Sequence, residues 1–160
     1  MNGQILVGIA SGERVPVAIW KQPDGRITFT ADASIDVDGS GDSHGDPYYQ
    51  PDTSLHRDGE PLNSDVERYI VVPPSVVKFV VPVVLGCLAK VTYRGKTVDA
   101  VVGDIGPSRR SGEISYSLAR ALNINPNPIN GGVDEIEVTY EIFPGVAALV
   151  DGVQYQLQPS

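Results

Sequence analysis

Turns centred on glycine and proline cut this 160-residue chain into short apolar segments, and most of those segments carry the composition and alternation of β-strands. Gln4 to Ile9, Val15 to Lys21 and Arg26 to Ala31 form the first three expected strands, with Pro23-Asp24-Gly25 joining the second and third as a hairpin. Further strands are expected over Arg68 to Val72, Val76 to Val81, Leu85 to Tyr93 and Thr97 to Val102, with a hairpin turn at Arg94-Gly95-Lys96. Glu135 to Phe143 (EIEVTYEIF) alternates apolar and polar residues with period two, and Gly152 to Leu157 adds a final edge strand. Only Ile114 to Leu122 has helical spacing, with Ile114, Leu118, Ala121 and Leu122 on one face, and Asn125-Pro126-Asn127-Pro128 stops it. Many short strands with one short helix point to an all-β fold closed into a small barrel, because closure removes exposed edges. Neither an internal repeat nor a linker divides the chain, so residues 1–160 are expected to form one domain.

Charge is concentrated. Ala31 to Arg68 holds ten acidic residues against Arg57 and Arg68, which accounts for the whole net charge of −8. Nucleic acid is disfavoured as a partner, since its phosphates need a basic patch and the chain offers only the pair Arg109 and Arg110. A cationic or neutral partner fits better, although a solvated acidic loop that maintains solubility has the same composition. Val71 to Val91 is broken by Pro73, Pro74 and Pro82 and carries Lys78 and Lys90, so it is not expected to span a membrane. Cys87, the only cysteine, lies in an apolar run without a nearby histidine and reads as a small core residue. The apolar stretch Ile5 to Ala10 is short and lacks a basic leader, so it does not read as a secretory signal.

The segment Gly103 to Ser115 (GDIGPSRRSGEIS) places Asp104 at the end of an expected strand and Glu113 at the start of the expected helix. Two carboxylates held by rigid elements can serve as an acid and a base. Carboxylates are also common at such positions for structural reasons, because a helix N-terminus attracts negative charge. The run Asp36 to Asp42 (DVDGSGD) offers oxygens at alternate positions and could hold calcium, but Pro47 stands where an EF-hand loop has glutamate. A zinc site built from His44, His56 and aspartates is a further alternative to solvent-exposed loop histidines.

Taken in order, DVDGSGD, Asp52-Thr-Ser54, Tyr69 to Pro73 (YIVVP), GDIGP, GEIS with its helix, and the strand ending at Phe143 resemble the glycoside hydrolase family 75 chitosanases over about Ser34 to Phe143. The resemblance implies Asp104 and Glu113 as the essential carboxylates, with Glu113 as general acid and Asp104 as base. Asp36 or Asp38 is the alternative base. It further implies an endo-acting, inverting hydrolysis of the β-1,4 bonds of chitosan without metal or cofactor, and it favours a secreted or extracellular protein over the cytoplasmic or lysis-released alternatives that the sequence leaves open; a monomer is expected. Fungal members carry cysteines near the aspartate-rich segment and a leader, and this sequence shows neither.

A broader similarity, carried by the D-x-G-P turn, the acidic residue before an Ile-Ser helix start and the following glycine-rich turn, is to six-stranded double-psi β-barrels. These include family 45 endoglucanases, lytic transglycosylases and expansins, which leaves a peptidoglycan-cleaving enzyme or a non-catalytic carbohydrate-binding barrel as alternatives. Under the chitosan reading, Asp36, Asp38, Asp42 and Asp52 would attract the protonated amines. Tyr48, Tyr49 and Trp20 could stack on sugar rings, with Trp20 placed more readily in the core. Inversion requires carboxyl groups roughly 6.5 to 9.5 Å apart, leaving room for a water.

Overall fold

The computed structural model describes residues 2–8, 14–79, 83, 85–106 and 112–158. In chain order its elements are β1 (Asn2–Gly8), β2 (Arg14–Lys21), β3 (Ile27–Asp36), β4 (His56–Arg57), β5 (Glu60–Pro61), β6 (Tyr69–Val72) and α1 (Pro74–Phe79). These are followed by β7 (Cys87–Tyr93), β8 (Lys96–Ile105), β9 (Glu113–Ser115), α2 (Tyr116–Ala121), β10 (Val133–Ala147), β11 (Leu149–Val150) and β12 (Val153–Gln154). Six strands close a ring in the order β3, β10, β7, β8, β6, β9 and back to β3. The expected closed barrel is therefore present. The β1–β2 hairpin lies outside the ring, joined to it where Trp20 and Lys21 pair with Thr28 and Ile27.

Two pairings in the ring are parallel, β3 with β9 and β6 with β8, and the others are antiparallel. Exchanging β3, β6 and β7 with β8, β9 and β10 maps the ring pairings onto one another or onto themselves, parallel onto parallel and antiparallel onto antiparallel. The barrel therefore consists of two interleaved halves related by an approximate two-fold, which is the double-psi arrangement. Equivalent backbone bonds mark the two crossings: Ser34 N–H donates to Gly112 O at 2.7 Å and Val101 N–H to Arg68 O at 3.0 Å. Ile35 pairs with Ile114, Ile114 with Ile70 and Ile70 with Val102, so four buried apolar residues form a continuous row. No repeat is visible in the sequence because the equivalence lies in hydrogen-bond topology and not in residue identity.

Several elements differ from their sequence expectation. The expected strand Val76 to Val81 is replaced, within the described residues, by the single turn α1: Pro74 supplies a pre-set helical φ at the first position, and Val76 N–H donates to Pro73 O at 3.0 Å. The expected helix begins later, as α2, because Ile114 pairs with both Ile35 and Ile70 and so belongs to β9. Strand β8 continues to Ile105, which places Asp104 within a strand. Beyond β10 the chain forms the small β11–β12 hairpin instead of one longer edge strand, and Gln158 pairs with Leu85.

The long crossing between β3 and β6 contains eight of the twenty acidic residues and is ordered from within. Leu55 and Leu62 are buried anchors. Two buried serines bind its far end to the β9–α2 junction. Ser64 Oγ donates to Asp36 O and accepts from Tyr116 N–H, and Ser115 Oγ donates to Glu67 O while accepting from Tyr69 N–H and Leu118 N–H. Ser115 is thus both the N-cap of α2 and a cross-link between the halves. Ser115→Ala is expected to lower stability by about 2 kcal/mol in urea unfolding, since a cap and buried partners are lost together. Thr92→Ala, at an exposed cross-strand pair, should cost less than about 0.5 kcal/mol.

Candidate functional site

The interleaving brings the ends of β3 and β8 to one side of the barrel. Asp36, the last residue of β3, lies opposite Ser115, and Asp104, near the end of β8, lies opposite Val71. These positions are equivalent once the register shift between Ile70 and Val71 is counted, which inserts Gly103 as the extra residue. The bulge therefore decides where the Asp104 side chain points. Asp38 joins the pair from the start of the crossing loop. One carboxylate oxygen from each of Asp36, Asp38 and Asp104 lies within 4.8 Å of the others, with Asp36 and Asp104 buried.

Each carboxylate is held by named donors. Asp38 N–H donates to Asp36 Oδ1 at 2.7 Å, and Gln50 N–H to Asp38 Oδ1 at 2.8 Å. Asp104 Oδ1 accepts from Ser54 N–H at 3.0 Å, Ser54 Oγ–H at 2.6 Å and Ile105 N–H at 2.9 Å. Burial, reinforced by the charges of Asp38 and Glu113, pushes Asp36 up to about 8. Burial likewise pushes Asp38 up to about 6, opposed by the Gln50 N–H. Asp104 is raised by burial against the opposing pull of Ser54 and Ile105. The cluster therefore retains protons at pH values where ordinary aspartates have lost them.

Glu113 faces the same end from β9. It pairs with Ser34 on one side and Val71 on the other, while Val71 also pairs with Asp104. Asp104 and Glu113 thus flank one residue of β6, and with strands about 4.8 Å apart their backbones are roughly 9 to 10 Å apart. Gly106 lies against Glu113, since a Cβ there would stand 2.8 Å from Glu113 Oε2. Because Glu113 is in β9, ahead of the cap Ser115, it does not occupy the first turn of α2.

The other residues singled out by the sequence divide. Asp42 is turned out to solvent, where its Oδ1 accepts from His44 N–H at 2.8 Å. The DVDGSGD run therefore does not wrap around one point: Asp36 and Asp38 converge with Asp104, and Asp42 closes its own turn. The three converging oxygens are half of the smallest coordination shell calcium accepts. The two histidines serve different partners: His44 Nε2 lies 2.7 Å from Asp65 Oδ1 with its ring stacked on Tyr116, and His56 Nε2 lies 2.7 Å from Asp52 Oδ1. Asp52 is exposed yet close enough that its charge contributes to raising Asp104. Tyr48 is 84% exposed, whereas Tyr49 packs partly against the core. Trp20 is 48% exposed, not core, because β2 lies outside the ring. Its partner Thr28 is eight residues along β3 from Asp36, about 26 Å of strand, so Trp20 does not share the carboxylate site.

Ser54 is the site residue that sequence reasoning left without a role. It lies in the Asp52-Thr-Ser54 element, but its two bonds to Asp104 join residues fifty positions apart.

The fold and site together define a double-psi β-barrel with a carboxylate cluster at one end. No protein-family model matches the chain, and no curated protein matches it. Among solved structures, the Streptomyces papain inhibitor (SPI) is similar to it with 17% identity and a TM-score of 0.43, over 72% of this chain and 93% of the inhibitor.

The cluster links protonation to stability. Asp36 titrates from 3.8 to about 8 on folding, so the folded state holds a proton that the unfolded state has released between those values. That contribution is complete below the unfolded value and is lost as pH rises toward 8. Urea midpoints are expected to fall between pH 5 and pH 8, and Asp36→Asn, which cannot ionise there, should flatten that decline.

Proposed function

We propose that this protein is an endo-acting glycoside hydrolase that cleaves chitosan, a polymer of glucosamine, with inversion at the anomeric carbon. The observation that carries this reading is the cluster of Asp36, Asp38 and Asp104 with Glu113 across β6 from Asp104. Glycosidic cleavage needs one carboxyl that gives a proton and one carboxylate that takes one, on opposite faces of the sugar. Glu113 protonates the leaving oxygen as the C–O bond breaks. Ionised Asp104 takes a proton from the water that attacks the anomeric carbon, and solvent restores both groups. The backbone separation across Val71 leaves room for sugar and water between the two carboxyl groups.

The remaining acids favour a cationic chain. Asp36, with its high affinity for a proton, keeps the net charge of the cluster low enough for Asp104 to ionise beside it. Asp38, Asp42 and Asp52 present negative charge to protonated amines, and exposed contacts of this kind are weak singly, add along a cleft and weaken with salt. Tyr48, largely exposed on the same crossing, offers a ring on which a sugar can stack. An anionic wall polymer such as peptidoglycan would be repelled by this lining.

Incubation with chitosan, chitin and peptidoglycan, followed by assay of reducing ends, tests the reading. Chitosan should be cleaved, with kcat/KM falling as salt rises. Asp104→Asn and Glu113→Gln are each expected to lose at least about 100-fold in kcat. Full activity in both variants would refute the assignment. Release from peptidoglycan alone would favour a wall-cleaving enzyme, and binding without release a non-catalytic barrel.

A further inference from the structure

The C-terminal segment beyond β12 is tied to the carboxylate site by a short chain of hydrogen bonds. Gln158 Nε2 donates to Ser54 O at 3.1 Å, while its Oε1 accepts from His56 N–H at 3.4 Å and its backbone N–H donates to Leu85 O at 2.8 Å. The amide has one workable orientation, since Ser54 O can only accept and His56 N–H can only donate. Residue 158 is thus fastened at both its backbone and its side chain, and the side chain spans the segment that carries Ser54. Leu55 N–H donates to Gly103 O at 3.0 Å, which places that segment alongside the bulge of β8.

The mooring on the other side is equally specific. Gly86 has φ +93°, and a Cβ on it would lie 2.1 Å from Gln156 O, so the tail passes directly over this glycine. Gly86 N–H donates to Val102 O, Ala148 N–H donates to Gly86 O, and Tyr155 N–H donates to Ala148 O. The Leu85–Gly86 corner is therefore where β8, the end of β10 and the tail meet.

Ser54 in turn fixes Asp104. Its N–H and Oγ–H both reach Oδ1, its Oγ also accepts from Ile105 N–H at 3.2 Å, and Ile105 N–H supplies the third donor to the same oxygen. With Oδ1 taken by three donors, Oδ2 is the oxygen left to accept a proton from water.

We propose that Gln158 and Ser54 are positioning residues: Ser54 holds the Asp104 carboxylate directly, and Gln158 acts through Ser54, to keep that carboxylate in the orientation and ionisation state that a base requires. The catalytic part of this inference rests on the hydrolase reading; the positioning part does not. Asp104 is faced by Asp36 and Asp38 from β3 and the following loop, by Asp52 with its partner His56, by Tyr69 from β6 and by Glu113 from β9. Ser54→Ala leaves the chemical identity of all these groups unchanged, whereas Gln158→Ala also removes the acceptor of His56 N–H.

Two measurements on the full chain test the proposal. In the first, the Asp104 carboxyl is followed by carbon-13 NMR titration, assigned by its loss in Asp104→Asn. Donors to a carboxylate favour its ionised form, so Ser54→Ala should move the Asp104 titration to higher pH, and Gln158→Ala should move it the same way by less. Ser54→Thr, which keeps the hydroxyl, should restore the wild-type curve. Gln158→Met retains the length of the side chain without its bonds and serves should Gln158→Ala fail to fold. In the second, the rise of kcat/KM with pH on chitosan should shift upward in step, with kcat at the optimum falling about tenfold to 100-fold and KM changing less than about twofold. Unshifted Asp104 titrations in folded Ser54→Ala and Gln158 variants would overturn the positioning role, whatever the activity. Shifted titrations in a protein that releases no sugar would instead uphold it and remove the hydrolase reading.

Discussion

The two parallel pairings, β9 on β3 and β6 on β8, are the constraint on which the rest of this structure depends. Each joins a strand from one half of the barrel to a strand from the other, so neither half can close without its counterpart. Their cost is that the chain must cross the barrel twice before the pairings form. Buried side chains at those crossings offset it: Leu55 and Leu62 fill the first, and Ser64 and Ser115 satisfy backbone groups that would otherwise be stranded.

The same interleaving creates the electrostatic tension of the site. By carrying Asp36 and Asp104 to equivalent places, it concentrates carboxyl groups where water is scarce. Like charges in such a place cannot all ionise near neutrality, and the protein accommodates this by letting Asp36 keep its proton while donors from Ser54 and Ile105 favour ionisation of Asp104. Unlike environments for chemically similar groups are what acid–base chemistry uses. The same buried carboxylate set weakens the fold as pH rises, because its raised proton affinity is gained only on folding.

Much of the barrel was legible in the chain. Alternation in Glu135 to Phe143 and the Pro23-Asp24-Gly25 and Arg94-Gly95-Lys96 turns identify most ring strands, although β3, β8 and β10 each run three to five residues beyond their expected ends. Errors fell where a local pattern was satisfied in two ways. Val76 to Val81 has strand composition, yet Pro74 begins a helical turn there, and Ile114 has helical spacing to Leu118 while its neighbours in space are Ile35 and Ile70. Trp20 was misplaced for another reason: alternation tells which residues share a face of a strand, not whether that strand lies in the ring or outside it.

At the site, the sequence by itself determined the supply of carboxyl groups and the rigid elements that carry them, because strand and turn propensities act over a few residues. It marked Asp104 and Glu113 as an ordered pair and concentrated acid between β3 and β6. Only the tertiary structure decided that Asp36 and Asp38 converge on Asp104 while Asp42 turns away, that Ser54 reaches the same carboxylate, and that Gln158 reaches Ser54. Those contacts join positions fifty to a hundred residues apart. Their existence depends on the ring closing in one register, and register is set by long-range burial and by irregularities such as the bulge at Gly103, neither of which has a local signature.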